Sequence, residues 1–214
     1  MKNNPYIQLV QNDNNILNIP EEIYPLKGNW NAYFKNKNPL ILEIGTGMGN
    51  FFWKIALENP NKNLIGMEIR YKRLFQSAEK ARKWNNNNFV LLKDFGQNID
   101  KIFSSWEIAE SYIFFPDPWS NKERQRKHRL LQEDFLLKLY DITQIWGKLF
   151  FKTDHREYFE STKKIVEEQN LWNIGAWTYN YEDSEIFDMK NITEFEALYR
   201  GTKTDIHYIE LLKL

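Results

Sequence analysis

The sequence predicts an α/β fold with a doubly wound, mostly parallel sheet of seven strands. Short apolar runs alternate with longer amphipathic stretches along most of the chain, which is the pattern of parallel strands covered by helices on both faces. A glycine-rich turn follows the first run, and an acidic residue stands near the end of each of the first three. With 214 residues, 42% of them hydrophobic and 16% aromatic, the chain can form one domain with a large core.

Seven apolar runs are predicted to form the strands. In chain order they are Leu40–Ile44, Leu64–Glu68, Phe89–Leu92, Tyr112–Phe115, Lys148–Lys152, Trp172–Thr178 and Ile206–Leu212. Between them, Gln132–Ile142 has apolar residues at helical spacing, and Tyr71–Trp84 and His155–Gln169 carry enough charge to be surface helices. Asn85–Asn88 is predicted as a polar connection, because asparagine tolerates turn geometry.

The N-terminal residues differ from the rest of the chain. Pro5, Pro20 and Pro25 interrupt any regular pattern there, so we expect residues 1–38 to be an irregular extension and residues 39–214 to be the domain. No apolar run approaches the roughly 18 residues of a membrane span, and the first residues hold too short an apolar stretch for a signal peptide. We therefore expect a soluble, cytoplasmic protein without membrane contact.

Composition limits the possible chemistry. Cysteine is absent, which excludes disulfides, thiolate nucleophiles and Cys-based metal sites. His128, His155 and His207 lie far apart without metal-ligand spacing, so we expect no metal. The formal net charge is zero, which argues against a purely electrostatic nucleic-acid-binding protein but leaves room for a local basic patch.

A glycine-rich turn, Gly45-Thr46-Gly47-Met48-Gly49, follows the first predicted strand. Glycine lets the backbone turn sharply and approach a ligand closely. The spacing is neither that of a dinucleotide-binding turn nor that of a P-loop. Taken alone, this turn is equally consistent with a tight connection between a strand and a helix.

Three acidic residues make a ligand site more specific. Glu43, Glu68 and Asp94 lie at the ends of the first three strands, and Glu68 follows Gly49 by 19 residues. In open α/β sheets this carboxyl edge binds ligands, and an acid at the second strand accepts hydrogen bonds from ribose hydroxyls. Asp94 could reach an adenine amino group, and Glu43 the ammonium of a methionine moiety. Exposed strand ends are often acidic, but three acids in order after such a turn favour S-adenosylmethionine.

The fourth strand runs into Pro116-Asp117-Pro118-Trp119. The prolines lack N–H groups, so they end the strand and stiffen a loop that holds Asp117 and Trp119. The alternative is a rigid turn with an incidental acid and a packed tryptophan. Because the fourth strand neighbours the first in such sheets, we expect the loop to lie beside the methyl donor.

Positive charge is concentrated after this loop. The residues are Lys122, Arg124, Arg126, Lys127 and Arg129, together with His128. Such a run is often only a solvated face. Beside an aromatic residue and an acid, however, it indicates a surface that binds the phosphates of a nucleic acid and positions it without reading its sequence. A second basic set comprises Arg70, Lys72, Arg73, Lys80, Arg82 and Lys83. It could extend this surface, but we interpret most of it as solvating a helix.

The motifs together resemble a known family. In order they are EIGTGMG at 43–49, GMEI at 66–69, KDFGQN at 93–98, FFPDPW at 114–119, KTD at 152–154 and TEFE at 193–196. This pattern resembles the bacterial tRNA (guanine-N7-)-methyltransferases, which are class I Rossmann-like enzymes. The resemblance covers nearly the whole predicted domain, and its PDPW and TEFE motifs are specific.

The resemblance implies methylation of a guanine N7 in the tRNA variable loop, with S-adenosylmethionine as donor and tRNA as partner. It assigns Glu43, Glu68, Asp94 and Asp117 to the donor site and Asp117 to catalysis. It places tRNA contacts at Lys122, Asp154, Thr193, Glu194, Phe195 and Glu196. The family usually has Pro-Lys-Lys-Arg directly after PDPW, whereas this chain has Ser-Asn-Lys-Glu-Arg, so Lys122 is matched across one apparent extra residue. A monomer and a homodimer are both compatible with the sequence.

Some alternatives stay open at this stage. Thr193 and Glu196 also fit a capping box, and Phe195 also fits core packing. An amino-methyltransferase acting on a nucleic-acid base carries a related acid-proline motif, but with both prolines after the acid. A non-catalytic RNA-binding protein would not need the donor-site residues, and a small-molecule methyltransferase would not need the basic cluster.

Overall fold

The structure is a computed structural model that describes residues 4–83, 88–120, 122–187, 192–199 and 204–214. The strands are β1 (Ile16–Leu17), β2 (Leu40–Ile44), β3 (Asn63–Met67), β4 (Phe89–Leu92), β5 (Ile108–Phe114), β6 (Thr143–Thr153), β7 (Asn173–Thr178) and β8 (His207–Leu212). The α-helices are α1 (Tyr6–Gln11), α2 (Pro20–Ile23), α3 (Trp30–Phe34), α4 (Asn50–Glu58), α5 (Tyr71–Lys83), α6 (Ile99–Ile102), α7 (Glu133–Ile142), α8 (Arg156–Gln169) and α9 (Glu194–Tyr199). Short 3₁₀ helices span Tyr24–Leu26, Gly96–Asn98 and Glu123–His128.

The strands form one sheet in the order β1-β4-β3-β2-β5-β6-β8-β7. Neighbours from β1 to β6 pair in parallel, and β8 pairs antiparallel with β6 and β7. The chain builds outward from β2 through β3 and β4, then returns to add β5 on the other side of β2. The predicted doubly wound, mostly parallel sheet is therefore confirmed, and all seven predicted strands are present.

The sheet has eight strands rather than the predicted seven. The additional strand β1 pairs in parallel with β4 through Ile16 opposite Leu91 and Leu17 opposite Leu92. A strand of two residues cannot show a period of two, so the sequence pattern gave no signal for it.

The N-terminal residues pack closely on the sheet domain. They form α1, β1, α2 and α3, and the side chains of Val10, Ile23 and Trp30 are buried. The Trp30 indole Nε1 donates to the carbonyl oxygen of Ile102 at 3.1 Å. The segment is therefore more ordered than the irregular extension we expected, whereas the division of the chain at residue 38 stays a prediction.

The helix predictions agree closely with the structure. The predicted Gln132–Ile142 is α7, and the predicted His155–Gln169 is α8, with His155 as its N-cap: His155 Nδ1 accepts a hydrogen bond from the Tyr158 N–H at 3.2 Å. Helix α5 matches the prediction up to Lys83, since Trp84 lies outside the described residues. Of the asparagine run, residues 85–87 also lie outside them. No helix in the described part of the chain is long and apolar enough to cross a membrane.

The sheet separates two apolar cores. Leu40, Leu42 and Ile44 of β2 point to the core under α6, α7 and α8, whereas Ile41 points to the core under α4 and α5. Side chains alternate along a strand, so Glu43 shares the face of Ile41. This places a carboxyl group in the apolar layer just below the glycine-rich turn.

Candidate active site

A cavity of about 740 Å³ opens at the carboxyl edge of the sheet. It lies at the ends of β2, β3, β4 and β5, where the direction of strand addition reverses and where open α/β sheets bind ligands. Its lining includes four residues predicted for the site, Gly45, Glu68, Asp94 and Asp117. The topology thus brings together residues that span more than seventy positions of sequence.

The three glycines of the turn have different environments. All have positive φ, at +88° for Gly45, +56° for Gly47 and +77° for Gly49, a region that favours glycine. A Cβ at Gly45 or Gly47 would meet no atom within 4 Å, whereas a Cβ at Gly49 would overlap Ser77 of α5. Gly45 lines the cavity and Gly47 and Gly49 do not. A glycine at position 49 is therefore required by packing against α5. Of the three glycines, Gly45 and Gly47 are the two with open space beside them.

Glu43 is a buried carboxyl group just below the cavity. It is 6% exposed, and its Oε2 has no hydrogen-bond partner among the described residues. Burial, and then the nearby Glu68 carboxylate, raise the pKa of Glu43 to about 8. Without a neighbouring cation, Glu43 is mostly protonated at neutral pH. A bound ammonium or sulfonium group would favour its ionised form.

Glu68 and Asp94 carry the acidic side of the cavity. Glu68 Oε1 accepts from the Arg70 N–H at 2.9 Å. Asp94 Oδ1 accepts from the Phe95 N–H and from Asn98 Nδ2, both at 2.7 Å, which fixes the carboxylate. Asp94 Oδ2 is buried and has no partner in the described part of the chain. It therefore retains an acceptor site for a ligand.

Tyr24 lies near the same carboxylate. Its own burial, followed by the Asp94 carboxylate, raises the pKa of Tyr24. The N-terminal segment thus contributes to the surroundings of the cavity. No local pattern indicates this proximity, because the two residues are 70 positions apart.

The PDPW loop has an unusual backbone at both ends. Phe115 and Trp119 have φ of +52° and +47°, a left-handed conformation that is costly for bulky residues and persists only where the surroundings enforce it. The Phe115 N–H donates to the Lys152 carbonyl oxygen at 2.8 Å, which fixes the start of the loop to β6. Asp117 is exposed and lines the cavity.

Arg129 holds the other end of the loop. It is only 4% exposed, and its Nε donates to the Pro118 carbonyl oxygen at 2.7 Å. Its Nη1 contacts Glu157 Oε1 at 3.2 Å and Ser161 Oγ at 3.3 Å on α8, and its guanidinium lies over the Tyr158 ring. Arg129 therefore connects the loop to α8, and it is a buried part of the cavity lining rather than a member of the exposed basic surface.

The remaining basic residues of the run are all exposed and divide into paired and unpaired ones. Arg126 contacts Glu157 Oε2 at 3.1 Å, and the hydrogen bond from Arg129, together with both arginine charges, lowers the pKa of Glu157. Lys122, Arg124 and Lys127 are exposed and form no ion pair with any described residue. This unpaired set is smaller than the five-residue cluster that the sequence predicted.

The basic residues of α5 also divide. Arg82 pairs with Asp13 at 2.7 Å, and Lys80 contacts the Asn50 side chain. Arg73, and Arg70 just before the helix, instead line the cavity. These two arginines therefore face the same opening as Asp117, which agrees with the expectation that part of the set extends the basic surface while most of it solvates a helix.

The downstream motif residues lie behind the loop. Thr193 and Glu196 form a capping box on α9: the Thr193 N–H donates to Glu196 Oε2 at 2.7 Å, and the Glu196 N–H to Thr193 Oγ1 at 3.2 Å. The Phe195 ring centroid lies 4.6 Å from that of Phe115. The contact between Phe195 and Phe115 connects the motif to the loop, and Phe115 itself lines the cavity.

Of the six predicted tRNA contacts, none whose side chain the structure describes lines the cavity. Lys122 is exposed and Asp154 is partly buried. Glu194 begins α9, and its side chain lies outside the described residues. The cavity thus holds Gly45, Glu68, Asp94 and Asp117 of the predicted donor site. Of the predicted tRNA contacts, Lys122 lies on the exposed surface, whereas Thr193 and Glu196 are buried.

Comparison with known proteins identifies several relatives. A family model described as "Putative methyltransferase" matches residues 37–209. A tRNA (guanine-N(7)-)-methyltransferase of Clostridioides difficile is 35% identical over 91% of this chain and 90% of its own length, and one of Lachnoclostridium phytofermentans is 32% identical over 93% and 90%. A bifunctional glycosyltransferase/methyltransferase of Fusobacterium nucleatum is 38% identical over 88% of this chain, which spans only 29% of that longer protein.

Solved structures agree with the fold. The 16S rRNA methyltransferase KamB has a TM-score of 0.63 at 12% identity, covering 87% of this chain and 93% of that one. A 16S rRNA (adenine(1408)-N(1))-methyltransferase from Catenulisporales acidiphilia, solved with its cosubstrate, has a TM-score of 0.57 at 14% identity, covering 92% of both chains. At these identities the likeness establishes the shared fold.

Proposed function

The chain belongs to the bacterial tRNA (guanine-N7-)-methyltransferase family, and we propose that the cavity at the carboxyl edge of its sheet is where that reaction takes place. The chain is an enzyme that methylates N7 of guanine in tRNA with S-adenosylmethionine as donor. The variable loop as the position in the tRNA follows from the motif resemblance and is part of the proposal. So are a cytoplasmic location and a monomeric or homodimeric state.

The residues around the cavity fit the donor. Glu43 Oε2 and Asp94 Oδ2 are buried acceptors without partners in the described chain, and Gly45 and Gly47 leave open space. We assign Glu43 to the ammonium, Glu68 to the ribose hydroxyls and Asp94 to the adenine amino group. When bound, the donor supplies a methyl group whose bond to sulfur breaks as the N7 lone pair of guanine forms the new bond, leaving a neutral thioether and a purine cation.

Asp117 is assigned the central role on the guanine side. Its carboxylate can accept hydrogen bonds from guanine N1–H and the exocyclic amine, which would orient N7. It would also offset the positive charge that develops on the purine. Because guanine N7 carries no proton, Asp117 has no proton to remove, and its role is positioning and electrostatic stabilisation. The observation that carries this assignment is that Asp117 lies in one cavity with Gly45, Glu68 and Asp94.

We propose that tRNA contacts extend outward from this cavity. Lys122 and Asp154 supply contacts outside its lining, and Arg70 and Arg73 add positive charge at its opening. The TEFE segment, residues 193–196, supports the same surface by holding α9 against the PDPW loop through Phe195 and Phe115. A basic surface of this kind positions an RNA backbone without reading its sequence.

Methyl transfer from labelled S-adenosylmethionine to unmodified tRNA tests the proposal. We expect label in 7-methylguanine at one variable-loop position after nuclease digestion. Label on an exocyclic nitrogen would instead identify an amino-methyltransferase. Donor binding without transfer to tRNA would overturn the assignment of the substrate.

A further inference from the structure

Trp119 is an exposed aromatic residue at the edge of the candidate active site. Its side chain is 41% exposed, and it lines the same cavity as Asp117. Burying an indole would contribute a large hydrophobic stabilisation, yet this one is left accessible two positions from the proposed catalytic carboxylate. The alternative interpretation expected a packed tryptophan, whereas about two fifths of this side chain is exposed.

The backbone at Trp119 is held in place, and its indole lies against a neighbouring ring. Trp119 has φ of +47°, and the preceding carbonyl, of Pro118, accepts the 2.7 Å hydrogen bond from buried Arg129. The His128 ring, which also lines the cavity, lies 5.4 Å from the indole between centroids at 54°. An aromatic surface held in this way loses little conformational entropy when a ring stacks on it.

The chemistry of the substrate matches an indole at this position. Bases stack on aromatic side chains, and an indole face also attracts cations more strongly than other aromatic rings. Guanine is neutral before transfer and a cation after N7 gains the methyl group, with no proton released. The attraction to an indole face therefore grows along the reaction, and an interaction stronger in the transition state raises the turnover rate.

We propose that the Trp119 indole, backed by His128, stacks on the guanine that accepts the methyl group and favours its cationic, methylated form. This inference rests on the proposed function and adds a catalytic residue to it. It assigns to Trp119 a contact with the purine face, whereas Asp117 contacts the purine edge. Trp119 and Asp117 thus stabilise the same developing positive charge on the purine through two different contacts.

Single-turnover methyl transfer to tRNA, measured for wild type, Trp119→Phe and Trp119→Leu, tests the inference. We expect Trp119→Leu to lower the rate on the order of 10- to 100-fold, as for loss of one stacked base, and Trp119→Phe to lie between it and wild type. Trp106→Leu is the matched control. The Trp106 side chain is 64% exposed and its backbone is also left-handed, with φ of +61°. Trp106 precedes β5, however, and so lies at the opposite edge of the sheet. Affinity for S-adenosylhomocysteine establishes that each variant retains its fold.

A second measurement needs no variant. Wild-type protein without donor should bind tRNA carrying 7-methylguanine more tightly than unmodified tRNA, and Trp119→Phe should reduce that ratio. Equal affinities for the two tRNAs would overturn the inference, as would a Trp119→Leu rate within twofold of Trp106→Leu. An equal loss in Trp119→Phe and Trp119→Leu would also overturn it, because the aromatic ring would then contribute nothing. Absence of guanine N7 methylation by wild type would instead overturn the proposed function.

Discussion

Lys152 Nζ lies 2.8 Å from Glu196 Oε1, and both side chains are buried. The ammonium also lies 3.8 Å from the centroid of the Tyr181 ring. Since Glu196 completes the capping box of α9 with its other oxygen, this pair connects the helix to β6 behind the PDPW loop. The ion pair is therefore part of the support for the active-site wall.

Breaking this pair should destabilise the protein strongly. Glu196→Ala leaves a buried ammonium without its main counter-charge, which typically costs about 3–5 kcal/mol. We expect the thermal midpoint to fall by roughly 6–20 °C for a chain of this size. Glu168→Ala is the control, because Glu168 forms an exposed pair with Lys164 on α8 and such pairs contribute little. At this chain length, 1 kcal/mol shifts the thermal midpoint by about 2–4 °C. A midpoint for Glu196→Ala within about 2 °C of that control would therefore contradict the prediction.

Asp117→Asn should lower turnover while leaving donor-product affinity nearly unchanged. Removing one preorganised group that stabilises developing charge typically costs about 10²- to 10³-fold in rate. The control is Asp134→Asn, because Asp134 is also exposed and lines the same cavity from the first turn of α7. If both variants lose equal activity, the summed negative charge of the cavity matters and the position of Asp117 does not.

The buried carboxyl of Glu43 should make stability depend on pH. Its pKa rises from an ordinary 4.5 to about 8 on folding, so between these values the folded chain binds a proton that the unfolded chain releases. Stability is then lost as pH rises through that window, by up to about 1.4 kcal/mol per pH unit. In urea unfolding, the free energy of unfolding of Glu43→Gln minus that of wild type should therefore increase as the pH is raised from about 5.5 to about 8.5. A difference that is constant over this range would show that Glu43 is not the cause.

Donor binding should release protons if Glu43 contacts the ammonium. A cation beside a mostly protonated carboxyl favours its ionised form, so at pH 7 wild type should release a large fraction of one proton on binding S-adenosylhomocysteine, which keeps the ammonium. Calorimetry in buffers of different ionisation enthalpy measures this number directly. Glu43→Gln should bind with no such release, and an unchanged value in that variant would place the ammonium elsewhere.

The sequence predicted those parts of the molecule that depend on local pattern. The seven longer strands follow from apolar runs, and α7 and α8 from helical periodicity, because burial imposes a repeat that is visible in the residues themselves. The acidic strand ends could be placed together because parallel strands share a carboxyl edge. Glu68 and Asp94 accordingly lie in the predicted cavity.

Contacts between distant segments were not predictable in this way. Arg129 belongs by sequence to a basic run, and only the fold shows that it is buried against Glu157 and the Pro118 carbonyl. Gly49 belongs by sequence to the glycine-rich turn, and only the fold shows that Ser77 of α5 leaves no room for a Cβ at this position. In both cases the decisive partner lies at least eleven positions away, where no periodicity connects the residues.

The exposed lysines after the PDPW loop should control the salt dependence of tRNA binding. Lys122 and Lys127 have no ion pair within the described chain, so each is available to a phosphate. Each phosphate contact contributes about 0.7–0.9 to the slope of log K against log salt. Lys122→Ala/Lys127→Ala should therefore flatten the slope by about 1.5.

Lys35→Ala/Lys37→Ala is the matched control for that experiment. It removes the same two charges from exposed positions that precede β2 at the opposite edge of the sheet. Long-range attraction from net charge changes equally in both double variants, so only direct phosphate contacts distinguish their slopes. Filter binding of unmodified tRNA at salt concentrations between about 50 and 200 mM measures this slope for both double variants. If the two variants flatten the slope equally, the lysines after the loop are a solvated face and make no direct contact with a phosphate.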